Sequence, residues 1–368
     1  MGDDRSRTRL TYAPALDGLR AIACLSVMLY HAKLLVGGFL GVDVFFTLSG
    51  FLITSLLLEE LRSGGSVDLR AFWRRRVFRI IPLLATVTVT VFAWACVNGS
   101  GQAQKTIVGA AASLLFVVNW VAANHVGAAG ALVANWSVAL EEQFYLLWPL
   151  LLGLLYRWRR SERAVAWIVA GAAVALAVHR FTAVAGWGVA RVWFGPDTQA
   201  DALLAGCAVA LGLRCRSRLV GKVALVGLVG LLGLATDGSP FTMQWLVPAT
   251  ILCTALLVPV LAEEGRWLTW GPLRAVGRRS YGLYLWGTPI SFLAYEVYGL
   301  RGLPLLLAIF PSTFAITEVT YRLIELPLRR LGRRPPRLAA VRAERSLKVP
   351  AETTIPGTSW ETIAPRPG

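Results

Sequence analysis

Eleven apolar stretches, most of them near the length that crosses a bilayer, recur along this chain at about 16–36, 39–58, 80–97, 107–123, 138–156, 164–182, 199–213, 219–235, 241–262, 280–298 and 303–324. A soluble domain has no interior that could hide such a series from water, so the chain reads as one integral, all-α membrane bundle. The 368 residues would otherwise allow about two soluble domains. Composition points the same way: 56% of residues are hydrophobic and only 16% are charged, against roughly 25% in an ordinary globular domain.

Met1 to Leu10 is polar, and the first apolar block carries Asp17, Arg20 and His31 without a small-residue cleavage pattern. That block is expected to stay in place as a span rather than to be removed as a leader. The five cysteines, Cys24, Cys96, Cys207, Cys215 and Cys253, show no metal-like spacing, and no metal site is expected. Four of them lie inside apolar segments and read as packing residues.

If all eleven stretches crossed, the basic clusters Arg157, Arg159, Arg160 and Arg214, Arg216, Arg218 would fall outside the cell, against the positive-inside tendency. One stretch should therefore not cross. The weakest is 107–123, which is Ala-rich, contains Ser113 and Asn119, and is expected to be re-entrant or peripheral. Ten crossings with a cytoplasmic N-terminus then place 32 of the 37 Lys and Arg inside, leaving Lys33, Lys105, Arg180, Arg191 and Arg301 on the other side. Both termini are expected in the cytoplasm. The net charge of +16 thereby lines one membrane face, where it attracts anionic headgroups or an anionic cytosolic ligand; nucleic-acid binding is not needed to explain it. The expected organisation is a cytoplasmic segment 1–11, a membrane domain 12–332 and a basic, Pro-rich disordered tail 333–368.

Ionisable groups inside the spans carry the chemistry, because lipid makes them expensive. Arg20 and His31 are separated by eleven positions, which leaves them about 20° apart around a helix and about 16 Å apart along it. They share one stripe. The bland reading has Arg20 snorkelling to headgroups and His31 satisfying a carbonyl; the functional one has an imidazole that takes a proton near neutrality and a guanidinium that holds an anion. Asp43, at the start of GVDVFFTLSGFLIT, follows a short turn after the first span. It either orients the His31 imidazole or caps its own helix against the dipole. In FWRRRVFRIIP, Arg75 and Arg79 are four apart on one face, suited either to headgroup anchoring or to clamping the phosphates of a nucleotide-like donor. Glu141 and Glu142, in WSVALEEQFYLLWP, sit at the mouth of a span and need the bundle interior or a watery cavity. Asp197 and Asp201, in DTQADALLAG, read first as helix-capping acids.

Taken together and in order, these stretches resemble the acyltransferase-3 family of integral-membrane O-acyltransferases over about residues 12–330. The resemblance rests on Arg20 and His31 with ten residues between, GVDVFFTLSGFLIT from Gly41, the Arg75/Arg79 stretch before Pro82, WSVALEEQFY from Trp136, DTQADALLAG from Asp197, GRRSYGLYLW from Gly277 and YRLIELP from Tyr321. It implies a ten-span domain that takes an acyl group from acyl-CoA, used as co-substrate with no bound cofactor, and delivers it to a hydroxyl of a glycan, glycolipid or secreted natural product. It further implies His31 as the catalytic residue, with Asp43 and Glu141 in its network, and Arg20, Arg75 and Arg79 on the donor side. Ser49, Tyr145 and Tyr284 are hydroxyl-bearing candidates for the oxyanion donor in the matched stretches, ordinary packing being the other reading of each. Two positions depart from the family pattern: Gly287 stands where a His is frequent, and Gln199 where an Arg is frequent. No C-terminal hydrolase-like soluble domain is expected. The competing class is a multi-span transporter or flippase for a lipid-linked or secreted metabolite.

Overall fold

The structure is a computed structural model, which describes residues 13–98, 103–125, 127–159, 161–264 and 267–333. The expected N-terminal segment 1–11 and the tail beyond Arg333 lie outside the described residues. Within them the chain is all-helical, with no strand. Thirteen α-helices follow one another: α1 (Pro14–His31), α2 (Gly41–Gly64), α3 (Leu69–Val97), α4 (Ala103–Leu114), α5 (Val118–Asn124), α6 (Asn135–Trp158), α7 (Glu162–Phe194), α8 (Pro196–Ala210), α9 (Arg218–Leu234), α10 (Val247–Glu264), α11 (Gly271–Phe292), α12 (Gly302–Thr320) and α13 (Leu326–Arg333).

Local signals account for several starts. The Asp68 carboxylate caps α3 by accepting from the Ala71 amide at 2.9 Å, and Ser161 and Ser217 do the same for α7 and α9. Pro14, Pro196 and Pro272 occupy first-turn positions, where a missing N–H costs nothing. The 107–123 stretch is broken at Phe116, whose φ of 55° ends α4 and separates it from α5. Twelve and seven residues give neither helix the reach to cross a bilayer.

Six segments are long and apolar enough to span: Val36–Gly64, Leu69–Val97, Asn135–Trp158, Glu162–Phe194, Thr242–Glu263 and Gly302–Gly332. The chain is a multi-pass membrane protein, and its surface pattern is the inverse of a soluble fold. On α6 the outward stripe is Leu146, Leu147, Leu150, Leu151 and Leu154, from 46% to 65% exposed. The buried side chains meanwhile include Asp43, Arg180, Gln199, Asp201 and Glu325. With lipid as apolar as leucine, association rests on close approach and internal polar contacts. Gly50 and Gly206 bring α2 and α8 together so closely that a Cβ on either would lie 1.9 Å from a backbone carbonyl oxygen, of Leu203 or of Thr47. Gly277 does the same for α11 against Asp17 of α1.

Candidate functional site

Parallel packing of α1 and α11 sets the axis of the site. Gly277 lies against Asp17, and one turn on, the Arg20 guanidinium donates through Nε and Nη2 to Ser280 Oγ, both at 3.2 Å. At the other end of α1, His31 Nε2 is 3.3 Å from Thr288 Oγ1. Ser280, Tyr284 and Thr288 repeat every four residues, so they stand on one face of α11. Between the two ends, Tyr284 Oη donates to the Ala134 carbonyl at 2.9 Å and accepts from Ser137 Oγ at 2.7 Å. A ladder of hydroxyls therefore runs from the arginine to the imidazole.

The second wall is α3 against α2 and α6. Glu141 accepts from Ser49 Oγ at 2.6 Å, and Arg20, Arg79 and Arg76 are its nearest cations in electrostatic terms. Arg76 lies with its guanidinium over the rings of Tyr145, at 5.0 Å, and Phe72, at 5.6 Å. Arg79 interacts electrostatically with Arg20, Arg76, Glu141 and Glu142. Among the described residues neither Arg76 nor Arg79 forms a hydrogen bond or an ion pair. Arg75 does not join them: it turns outward, 41% exposed, to an ion pair with Glu60 at 2.6 Å. Positions three and four apart both share a helix face, and the partner on α2 decides which arginine turns in. Arg76 is thus a site residue that sequence spacing passes over, although its three-residue offset from Arg79 is a legible signal.

Asp43 makes no hydrogen bond to His31. It is 1% exposed, neither carboxylate oxygen has a hydrogen-bond partner, and its electrostatic neighbours are Arg180 and Asp201. Arg180, with no exposed surface, sits inside the bundle rather than beyond it, paired with Asp201 at 2.7 Å and donating to Asp201 Oδ1 at 2.9 Å and to the Thr198 carbonyl at 3.4 Å. The physical reason is the glycine contact between α2 and α8, which holds α2 against α8, itself packed on α7. Thr288, not Asp43, is the partner that holds the imidazole. Gln199 is likewise fully buried, with both amide atoms unpartnered. Asp197 receives both terminal nitrogens of Arg191 at 3.0 Å, a bidentate pair rather than a helix cap.

Two of the three oxyanion candidates have committed protons: Ser49 to Glu141 and Tyr284 to Ala134. Gly287 has room, since a Cβ there would meet Met28 and Thr313 only at 3.9 Å. Glu325, 2% exposed, and Arg329 join the Arg20 end of the cation cluster, with Arg79 and Arg20 among the charges that act on both. The arrangement can hold an anion at one end of α1 and move a proton at the other.

Residues 14–322 match a family model described as an acyltransferase domain, acyltransferase 3. The chain is similar to the peptidoglycan O-acetyltransferase OatA of Listeria monocytogenes, 32% identical over 87% of this chain and 56% of the relative. It is also similar to the O-acetyltransferase OatA of Staphylococcus aureus, 33% identical over 87% of this chain and 58% of the relative. The chain spans a little over half the length of these curated relatives. No solved structure matches it.

Proposed function

This chain belongs to the acyltransferase-3 family, and from that membership we propose that it is a membrane O-acyltransferase, moving an acetyl or other short acyl group from acyl-CoA to a hydroxyl of a carbohydrate acceptor. The carrying observation is the pair of unpaired guanidinium groups, Arg76 and Arg79, at one end of a hydroxyl ladder that ends on His31. Both guanidiniums are partly buried and have Glu141 and Glu142 only as electrostatic neighbours, with no acid in direct contact, and phosphate oxygens are the partners their fork geometry suits. Arg20 is the third member of that seat. The donor's acyl thioester extends along α1 toward the imidazole, about 16 Å from Arg20.

At that end His31 takes the proton of the acceptor hydroxyl while the hydroxyl oxygen attacks the thioester carbonyl. The C–O bond of the new ester forms, the C–S bond breaks, and the leaving CoA thiolate takes that proton from His31, which returns to its neutral form. Glu141 serves the site network by fixing Ser49 and balancing the charge of Arg20, Arg76 and Arg79. Asp43 belongs to the Arg180 node and supports the site through α2. The relatives' names support a glycan acceptor.

The same reading takes ten helices as crossing. α1, α8, α9 and α11 join the six long spans: α8 and α9, at 15 and 17 residues, are short, while α1 and α11 are interrupted by charge. The basic clusters support a cytoplasmic position for both termini and for the arginine end of the site. Purified protein given acetyl-CoA and a peptidoglycan fragment should release free thiol and yield an acceptor heavier by one acetyl group. Vesicle uptake of the glycan with no thiol release would identify a carrier instead.

A further inference from the structure

YRLIELP, the last of the distinctive stretches, has no role in the steps above, yet it holds the most deeply buried glutamate of the bundle's Arg20 end. α12 passes at Thr320 into a π-helical turn, Tyr321–Glu325, and then into α13. A π turn adds a residue and rotates the helix beyond it, and such turns gather at functional sites. Here the result is an inversion of polarity: Leu323 points outward at 72% exposed, while Glu325 points inward at 2%. Its Oε1 lies 3.5 Å from where a Cβ on Gly282 would stand, beside Leu83, one turn beyond Arg79 on α3. Gly282 is two residues from Ser280, the Arg20 partner. Glu325 is therefore lodged where α3, α11 and the end of α12 meet, at the arginine seat.

Its charge is only partly answered. Arg329 Nη2 lies 2.6 Å from Glu325 Oε2, an ion pair one turn along the helix, with side chains 21% and 1% exposed. Neither carboxylate oxygen has a well-directed hydrogen bond, and Arg329 Nε is also buried without a partner. Arg79 and Arg20 are among the nearest charges to Arg329, and both repel it. The three guanidinium groups share one electrostatic neighbourhood, and of them Arg329 alone has a carboxylate in direct contact. Such a cluster is costly when empty and favourable when an anion supplies the missing acceptors.

The geometry points to Arg329 as a further phosphate-binding residue of the donor seat, with Glu325 as the positioning residue that holds it there. This inference rests on the acyl-CoA reading. Arg329 donates to donor phosphate oxygens alongside Arg79; Glu325 touches Arg329 and not the donor.

The test uses the full chain in lipid nanodiscs, with coenzyme A as the probe in a direct binding titration and acetyl transfer measured in parallel. Arg329→Ala and Arg329→Lys should weaken coenzyme A binding at least tenfold, the Lys variant keeping the charge but losing the planar fork. Arg330→Ala, which removes the same charge from an exposed neighbour, should change it less than twofold. Glu325→Gln removes a negative charge from an anion site and should still weaken binding, because Arg329 loses its anchor; Glu325→Asp should recover part of the loss. The donor KM should rise in these variants with kcat little changed. Tighter binding in Glu325→Gln would make Glu325 a mere counter-charge and overturn its positioning role. Wild-type affinity in both Arg329 variants, with loss in Arg79→Ala, would overturn the inference and leave the donor reading intact. Binding that depends on Arg329 without any acyl transfer would sustain the inference and sink the transfer reaction, whereas no coenzyme A binding by the wild type would sink both.

Discussion

His31 and Thr288 meet at 3.3 Å between the C-terminal parts of α1 and α11, eight residues along α11 from the Ser280 hydroxyl that holds Arg20. One helix thus fixes both ends of the stripe on its neighbour. A ring held from one nitrogen has its orientation set, and orientation is what a base needs before basicity matters. His31→Ala should lower transfer by about 10²–10⁴-fold while the protein remains monodisperse. Thr288→Val keeps volume and removes the hydroxyl; a lost hydrogen bond of about 0.5–1.5 kcal/mol corresponds to roughly a two- to tenfold fall in kcat. Initial rates of thiol release check both, and undiminished turnover in His31→Ala would remove the imidazole from the mechanism.

Arg75 and Arg76 are adjacent, carry the same charge and differ in what they face, which makes them a matched pair. Arg76 lies over Tyr145 within the bundle, whereas Arg75 is engaged with Glu60 at the periphery. Arg76→Ala should raise the KM for acetyl-CoA at least tenfold, as expected for a charged hydrogen bond of about 1.5–3 kcal/mol. Arg75→Ala removes only an exposed ion pair, worth about 0–1 kcal/mol, and should leave KM within about twofold. Equal effects would return both arginines to general attraction of the donor by surface charge.

Glycine at 50 and 206 is required by backbone proximity, with the opposing carbonyl 1.9 Å from the place of a Cβ. No side-chain rotation relieves that contact, so Gly50→Ala or Gly206→Ala must push α2 and α8 apart. Overpacking costs about 1–3 kcal/mol or more, and a lower thermal midpoint in detergent should follow for each. Gly230 on α9 meets nothing within 4 Å. Gly230→Ala should hold or raise the midpoint, since a helix-interior glycine gives up about 0.5–1 kcal/mol relative to alanine. Indistinguishable midpoints for all three would contradict the close helix contact.

The helical class, the approximate places of the long spans and the stripe shared by Arg20 and His31 are all legible in the sequence, because they depend on local periodicity. The lengths are less so, since α3 and α7 run well beyond the expected 80–97 and 164–182. The break within 107–123 is also legible, as a loss of apolar length. Which arginine turns inward is not, since Arg75 and Arg76 are both on the Arg79 face and a glutamate on another helix chooses between them. Asp43 misleads because its distance from His31 along the chain is short; the contact that places it is between Gly50 and α8, far away in sequence. Arg180 counts among the cations beyond the membrane when charge is tallied by segment, yet its acid, Asp201, lies 21 positions on across the α7–α8 turn. Glu325 is hidden by the π turn, which shifts the helical phase that spacing arguments assume.

Arg180 and Asp201 form the most enclosed ion pair among the described residues, with side chains 0% and 3% exposed. In that setting each charge is tolerable only because of the other, and Asp43 adds a second carboxylate that leans on the same guanidinium. Arg180→Leu would strand two buried acids, and removing one partner of such a pair typically costs about 3–5 kcal/mol. Asp201→Leu leaves Arg180 with Asp43 in reach and should cost less. The double variant Arg180→Leu, Asp201→Leu should be more stable than Arg180→Leu alone, because it removes one stranded acid together with the cation. A double-mutant cycle of thermal or denaturant midpoints measures this coupling. Additive losses would mean that the pair contributes no mutual stabilisation, and the position of Asp43 among these charges would then need another cause.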